Sequence, residues 1–164
     1  MSRLRLYNLR KSFAYAINGI VFCVRYERNM RIHIVAAAYV LFAALYFYEL
    51  EPAELAVLVI AIVLVMTLEI INTAIEVITD KASPEYSSLA KAAKDTAAGA
   101  VLLAAAAAVA VGVILLWDRV VFGQIADFFT ANPLAVALLG LSVILSVVFI
   151  LTVKERRKRG KRKK

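Results

Sequence analysis

The chain has 164 residues, 63% of them hydrophobic, a formal net charge of +8 and a mean hydropathy of +0.79. That composition excludes an ordinary soluble domain and is long enough for several bilayer crossings. The charge is local rather than spread: residues 154–164 hold nine Lys or Arg against one Glu, which accounts for the whole excess.

Residues 1–31 form an N-terminal region expected to lie in the membrane interface. Its start, with Arg3, Arg5, Arg10 and Lys11, lacks the apolar core and small-residue cleavage site of a secretory signal. Leu9, Phe13, Ile17, Ile20, Val21 and Val24 recur at intervals of three and four among Arg10, Lys11, Asn18 and Arg25. This is the pattern of an interfacial amphipathic helix, with Gly19 a weak point. Cys23 is the one cysteine, so no internal disulfide forms; it reads as a small buried hydrophobe on the reduced side of the membrane.

Four apolar stretches follow, at about 32–48, 55–78, 97–117 and 133–153, each near the ~20 residues a helix needs to cross the hydrocarbon core. Tyr46, Phe47, Tyr48 and Trp117 mark span ends, where aromatic rings suit the headgroup zone. Ser83 and Pro84 read as the cap and first turn of a helix that runs on into the third span. The Ala-rich run of that span reads as a closely packed helix. Residues 118–132 are expected to be an extracytoplasmic loop, 133–153 an additional span, and 154–164 a basic cytoplasmic tail. Directly after a span, such a tail is a topology signal or a contact for anionic headgroups, and no nucleic-acid partner is expected. Arg25, Arg28 and Arg31, then Lys81, Lys91 and Lys94, then the tail alternate with connections of negative balance, which carry Glu49, Glu51 and Glu54, and then Asp118, Arg119 and Asp127. The positive-inside rule therefore places both termini in the cytoplasm. The expected fold is an all-α, multi-pass integral protein of the cell membrane.

The second stretch ends in LEIINTAIEVITD, residues 68–80. At ~100° per residue, Glu69, Asn72, Glu76 and Asp80 fall on one helical stripe. Charge inside a span is costly and faces a bundle interior, a wet cavity or a partner. One polar residue is explained by helix–helix hydrogen bonding; four aligned acceptors are not. Aligned carboxylates repel, so the stripe calls for a metal, a basic partner or protonation. With no cysteine and no paired histidine nearby, oxygen ligands favour a hard ion such as Mg²⁺. His33 stands alone and reads as an interfacial side chain. Lys91 and Lys94 are available to neutralise phosphates, or to anchor a span end. Glu27 is either a further ligand or a surface ion-pair partner.

The segments ERNMRIH, LEIINTAIEVITD and SPEYSSLAKAAKDTAAGAVLLAA resemble the small prokaryotic diacylglycerol kinase family, which includes undecaprenol kinases. The resemblance covers about residues 11–117, and its E-x-x-N-x-x-x-E core is specific. No P-loop and no protein-kinase motif is present. The resemblance implies a three-span kinase core at 32–117 within a homotrimer with active sites shared between subunits. It also implies ATP as co-substrate, Mg²⁺, and a lipid alcohol as acceptor at the cytoplasmic face. Carried over by residue, it implies Glu69 as the general base and Glu27 and Glu76 as metal ligands beside the phosphates. It further implies Tyr15, Glu27, Glu76, Glu85, Tyr86, Ser87, Lys94 and Asp95 as nucleotide contacts, with Asn72 and Asp80 as supporting polar groups. Ser87 departs from the histidine often found after E-Y. Undecaprenol is the expected acceptor and diacylglycerol the alternative. A cation pathway or a membrane anchor without catalysis is the more distant reading.

Overall fold

The computed structural model describes residues 2–83 and 87–153, with side chains from Leu9 onward. Glu85, Tyr86 and the basic tail therefore lie outside the described residues. The described chain folds into six helices: α1 Ser2–Tyr26, α2 Arg28–Phe47, α3 Pro52–Ala82, α4 Ser88–Leu116, α5 Arg119–Ala131 and α6 Pro133–Leu151. Four of them, α2, α3, α4 and α6, are long and apolar enough to cross a membrane. The protein is an all-α integral membrane protein.

The helix boundaries follow local chemistry. Glu51 and Glu54 form a reciprocal capping box and Pro52 opens α3, so orphan backbone donors at that end are satisfied. At about 1.5 Å per residue the 31 residues of α3 reach about 46 Å, well beyond a 30 Å hydrocarbon core. Its last turns therefore project beyond the apolar layer. Ser83, expected to cap the next helix, instead terminates α3, with its N–H bonded to Thr79 O at 2.9 Å. The cap of α4 is Ser87, whose Oγ accepts from Ala90 N at 3.3 Å. Ser87 is the better placed because a cap needs extended backbone ahead of the first turn, and Ser87 has it. As expected, α4 continues without interruption from this polar entry into the apolar run.

Residues 118–132, expected to be a loop, contain the 13-residue helix α5. Asp118 caps it, accepting from Val120 N at 2.7 Å. Gly19 lies within α1 and does not break it.

Packing of α3 against α4 is the most extensive contact in the molecule. On α4 the buried residues Ala97, Val101 and Ala104 form a stripe of small side chains; on α3 Leu58, Val65, Glu69 and Asn72 face inward. Small residues let the two backbones approach, as membrane helices require in the absence of a hydrophobic driving force. At one end of the bundle Tyr48 Oη donates to Leu116 O at 2.6 Å, and Phe47 meets Phe128 edge-on at 5.5 Å. At the other end lie the start of α2, the end of α3, the start of α4 and the end of α6. Helix α6 docks on α2, with Tyr39 Oη against Ser142 Oγ at 2.9 Å and Ser146 Oγ at 3.3 Å.

Candidate active site

The polar stripe of α3 lies at that second end, and its members differ in exposure in a fixed order. Glu69 is 1% exposed and Asn72 6%; Glu76 is half-buried and Asp80 exposed. Eleven residues separate Glu69 from Asp80, about 16 Å along the axis. One helix thus carries carboxylates from the packed interior to the polar rim.

At the deep end, the side chain of Asn29, from the first turn of α2, hydrogen-bonds the Glu69 carboxyl. Glu69 Oε2 has no hydrogen-bond partner among the described residues. It borders a cleft of about 240 Å³ lined by Asn29, His33, Glu69, Asn72, Val101 and Ala105, among others. A buried carboxyl oxygen without a partner is costly, and in a native site it marks a place for a ligand, ion or water. One turn further on, Asn72 Nδ2 donates to Glu76 Oε1 at 3.2 Å. Asn72 thereby steers the second carboxylate, while its own Oδ1 is left without a partner, as is Thr73 Oγ1.

At the rim Lys94 Nζ pairs with Asp80 Oδ1, joining the start of α4 to the end of α3. The pair borders a second cleft, about 230 Å³, lined by Thr79, Asp80, Ser83, Ser87, Lys91 and Lys94. Glu27 is the extended residue between α1 and α2, two positions from Asn29. The junction holds because Glu27 N bonds Cys23 O at 2.8 Å.

The structure thus brings Glu69, Asn72 and Glu76 together and gathers Asp80, Ser87 and Lys94 into the neighbouring cleft. Tyr15 is 69% exposed on α1 and lines neither cleft. Asp95 is exposed at the start of α4 and also lines neither. Two contributors escaped the sequence reading. Asn29 sits inside ERNMRIH, where an asparagine near a helix start reads as a solvated cap residue rather than a partner for a carboxyl 40 positions away. His33, read as interfacial, borders the same cleft as Glu69.

Oxygen atoms dominate the converging donors: Glu69 Oε2, Asn72 Oδ1 and the Glu76 carboxylate. Two of these are buried without partners, and the set suits a hard cation such as Mg²⁺ better than a soft metal. Among the described residues no three His, Cys, Asp or Glu side chains already form a metal cage. A family model described as prokaryotic diacylglycerol kinase matches residues 14–116, from α1 to the last residue of α4. The chain belongs to the prokaryotic diacylglycerol kinase family.

Relatives in this family include a Synechocystis protein named diacylglycerol kinase, 48% identical over 110 residues, which are 66% of this chain and 62% of that protein. The undecaprenol kinase of Bacillus subtilis is 38% identical over 109 residues, 66% of this chain and 88% of that protein. The diacylglycerol kinase of Escherichia coli K12 is 38% identical over 71 residues, 43% of this chain and 58% of that protein. The chain thus spans less than two thirds of the Synechocystis and E. coli relatives. Every site residue above lies inside the family match, whereas α5 and α6 lie beyond it.

Proposed function

We propose that the protein is an ATP-dependent lipid kinase that transfers the γ-phosphate to a membrane alcohol at the cytoplasmic face. Undecaprenol is the preferred acceptor. The observation that carries the proposal is the buried, unpartnered Glu69 Oε2 at the deep end of a polar stripe whose shallow end is the Lys94–Asp80 pair. A lipid alcohol reaches such a site from within the leaflet; a nucleotide reaches it from water.

In this reading Glu69 accepts the hydroxyl proton as the alcohol oxygen bonds to the γ-phosphorus. The bond from that phosphorus to the bridging oxygen breaks and ADP leaves. Asn29 orients Glu69, and Asn72 orients Glu76. Lys94, with Ser87 and Lys91 beside it, meets the phosphate charge once the nucleotide competes with Asp80. Glu76, beside the unpartnered Asn72 Oδ1, and Glu27, as the family resemblance implies, would hold Mg²⁺, which would neutralise phosphate charge. Tyr15, Glu85, Tyr86 and Asp95 complete the nucleotide contacts in the reading carried over from the family. The active unit is a homotrimer with sites shared between subunits, and each chain crosses the membrane four times with both termini in the cytoplasm.

The match along most of the Bacillus undecaprenol kinase supports undecaprenol. The higher identity to the Synechocystis diacylglycerol kinase supports diacylglycerol as a second reading. Purified protein given ATP labelled on the γ-phosphate and either lipid separates them. The expected result is faster labelling of undecaprenol; preferential labelling of diacylglycerol selects the second reading, and no labelled lipid from either defeats both.

A further inference from the structure

Arg31 is the one charged side chain among the described residues that is both cationic and buried, at 7% exposure. The positive-inside reading treats it as a solvated loop charge, but it lies in the first turn of α2. Its partners belong to two other helices. Nε donates to Val24 O at 2.6 Å and Nη2 to Arg25 O at 3.4 Å, both in the last turn of α1. Nη1 donates to Phe149 O and approaches Thr152 Oγ1 at 3.4 Å, at the end of α6. The guanidinium also lies 4.8 Å from the centre of the Phe149 ring.

The last carbonyls of a helix have no intrahelical donor and carry the negative end of its dipole. A guanidinium offers several N–H groups in a fixed fork. One arginine therefore caps the ends of α1 and α6 at once. Between its two anchor points on α1 and its own position on α2 lies the turn that contains Glu27, and Asn29 follows. Helix α6 lies outside the family match, yet it reaches back to this turn.

We propose that α6 is a positioning element of the active site: docked on α2 through Tyr39 and held by Arg31, it fixes the α1–α2 turn in which Glu27 lies, and so the placement of Asn29 against Glu69. This rests on the kinase reading for its consequence in turnover, but not for the clamp itself. Arg31 and α6 act through the turn and touch no substrate.

Cys23 supplies a built-in reporter. It is the single cysteine, 2% exposed, and its carbonyl receives the Glu27 N–H. The experiment uses full-length protein in bilayers and compares wild type with Arg31→Gln, Arg31→Lys and the double variant Ser142→Leu/Ser146→Leu. That last change crowds α6 away from Tyr39 and leaves every site residue intact. Thiol labelling of Cys23 by a maleimide and lipid phosphorylation are measured together. The expected result is faster labelling in Arg31→Gln and in the double variant, with kcat lowered roughly 10- to 100-fold and the KM for lipid unchanged. Arg31→Lys, which keeps charge and some donors, recovers part of both. The proposal is overturned if the double variant labels Cys23 no faster than wild type, or labels it faster with turnover unchanged. It is also overturned if kcat falls only in proportion to the amount of folded protein. If wild type itself phosphorylates no lipid, the kinase reading fails while Cys23 labelling still decides whether the clamp exists.

Discussion

Replacing Glu69 with Gln separates catalysis from folding more cleanly than any other single change here. The side chain is 1% exposed, so a substitution that alters its volume would disturb the α3–α4 interface. Glutamine has nearly the same shape and retains an oxygen able to accept the hydrogen bond from Asn29. It has lost the basicity needed to take a proton from an alcohol. General-base assistance contributes typically 10²- to 10⁴-fold, so kcat is expected to fall by about that factor. Stability should move the other way. A buried carboxyl oxygen without a partner costs on the order of 1–3 kcal/mol, and Glu76 shares the stripe and its charge. Neutralising Glu69 relieves that repulsion, so thermal unfolding in detergent should occur at an unchanged or higher temperature. Phosphate transfer from labelled ATP at saturating lipid, alongside a melting curve on the same preparation, measures both. A folded variant that retains turnover within about threefold would refute Glu69 as the base. Loss of activity with a lower melting temperature would show that the residue serves packing instead.

Three further variants test the rim of the site and the opposite end of the bundle. Lys94 and Asp80 have side chains 36% and 62% exposed, and pairs so accessible contribute ~0–1 kcal/mol; Lys94→Met should therefore leave the melting temperature nearly unchanged while weakening nucleotide binding at least about tenfold, measured by titration of kcat/KM against ATP. Asp80→Asn should leave nucleotide binding intact or tighter, because it removes the competitor for Lys94. Tyr48 is held above the usual tyrosine range, first by burial and then by the negative charge of Asp118. Since the folded state binds that proton more tightly, the contribution is complete below the unfolded value of about 10 and lost as pH rises through the raised folded value. Tyr48→Phe should cost about 0.5–1.5 kcal/mol at neutral pH through the lost bond to Leu116 O, and it should flatten the alkaline limb of a stability–pH curve.

The long helices were legible because hydrophobic runs of this length have one stable outcome in a bilayer, where every backbone group must bond within its own segment. The stripe was legible because 3.6-residue periodicity converts spacing directly into a shared face. Two kinds of feature were not. Helix α5 is too short to announce itself as a span, and its signal is the Asp118 cap followed by Val120, Val121, Ile125, Phe128 and Phe129. An expected extracytoplasmic loop over 118–132 leaves that local helix unread, though a helix can lie within such a connection. Asn29 and Arg31 were illegible for a different reason. Their roles depend on which helix ends meet, and a sequence reports local pattern without reporting that Arg31 lies beside residue 149.

The position of Arg31 follows from parity. Helices α2, α3, α4 and α6 alternate in direction, so a fourth long helix returns the chain to the end where α2 starts and α3 stops. With α4 as the last long helix, the chain would end beside Leu116, at the Tyr48 end of the bundle. Glu69 and the α1–α2 turn would then stand without a neighbour from outside the family match. The return brings the terminal carbonyls of α6, Phe149 O among them, to the one place where a buried guanidinium is already committed to the end of α1. Burying that cation on α1 alone would leave N–H groups unsatisfied in an apolar setting, a cost of the order of 1–3 kcal/mol or more for a charged group. Phe149 O and Thr152 Oγ1 offset it. A mobile Glu27 turn would leave Asn29 free to swing away from Glu69, and a displacement of about 1 Å lowers catalysis by a positioned base by up to about 10²-fold. The added helix therefore bears on the placement of the carboxylates even though it contributes no side chain to either cleft.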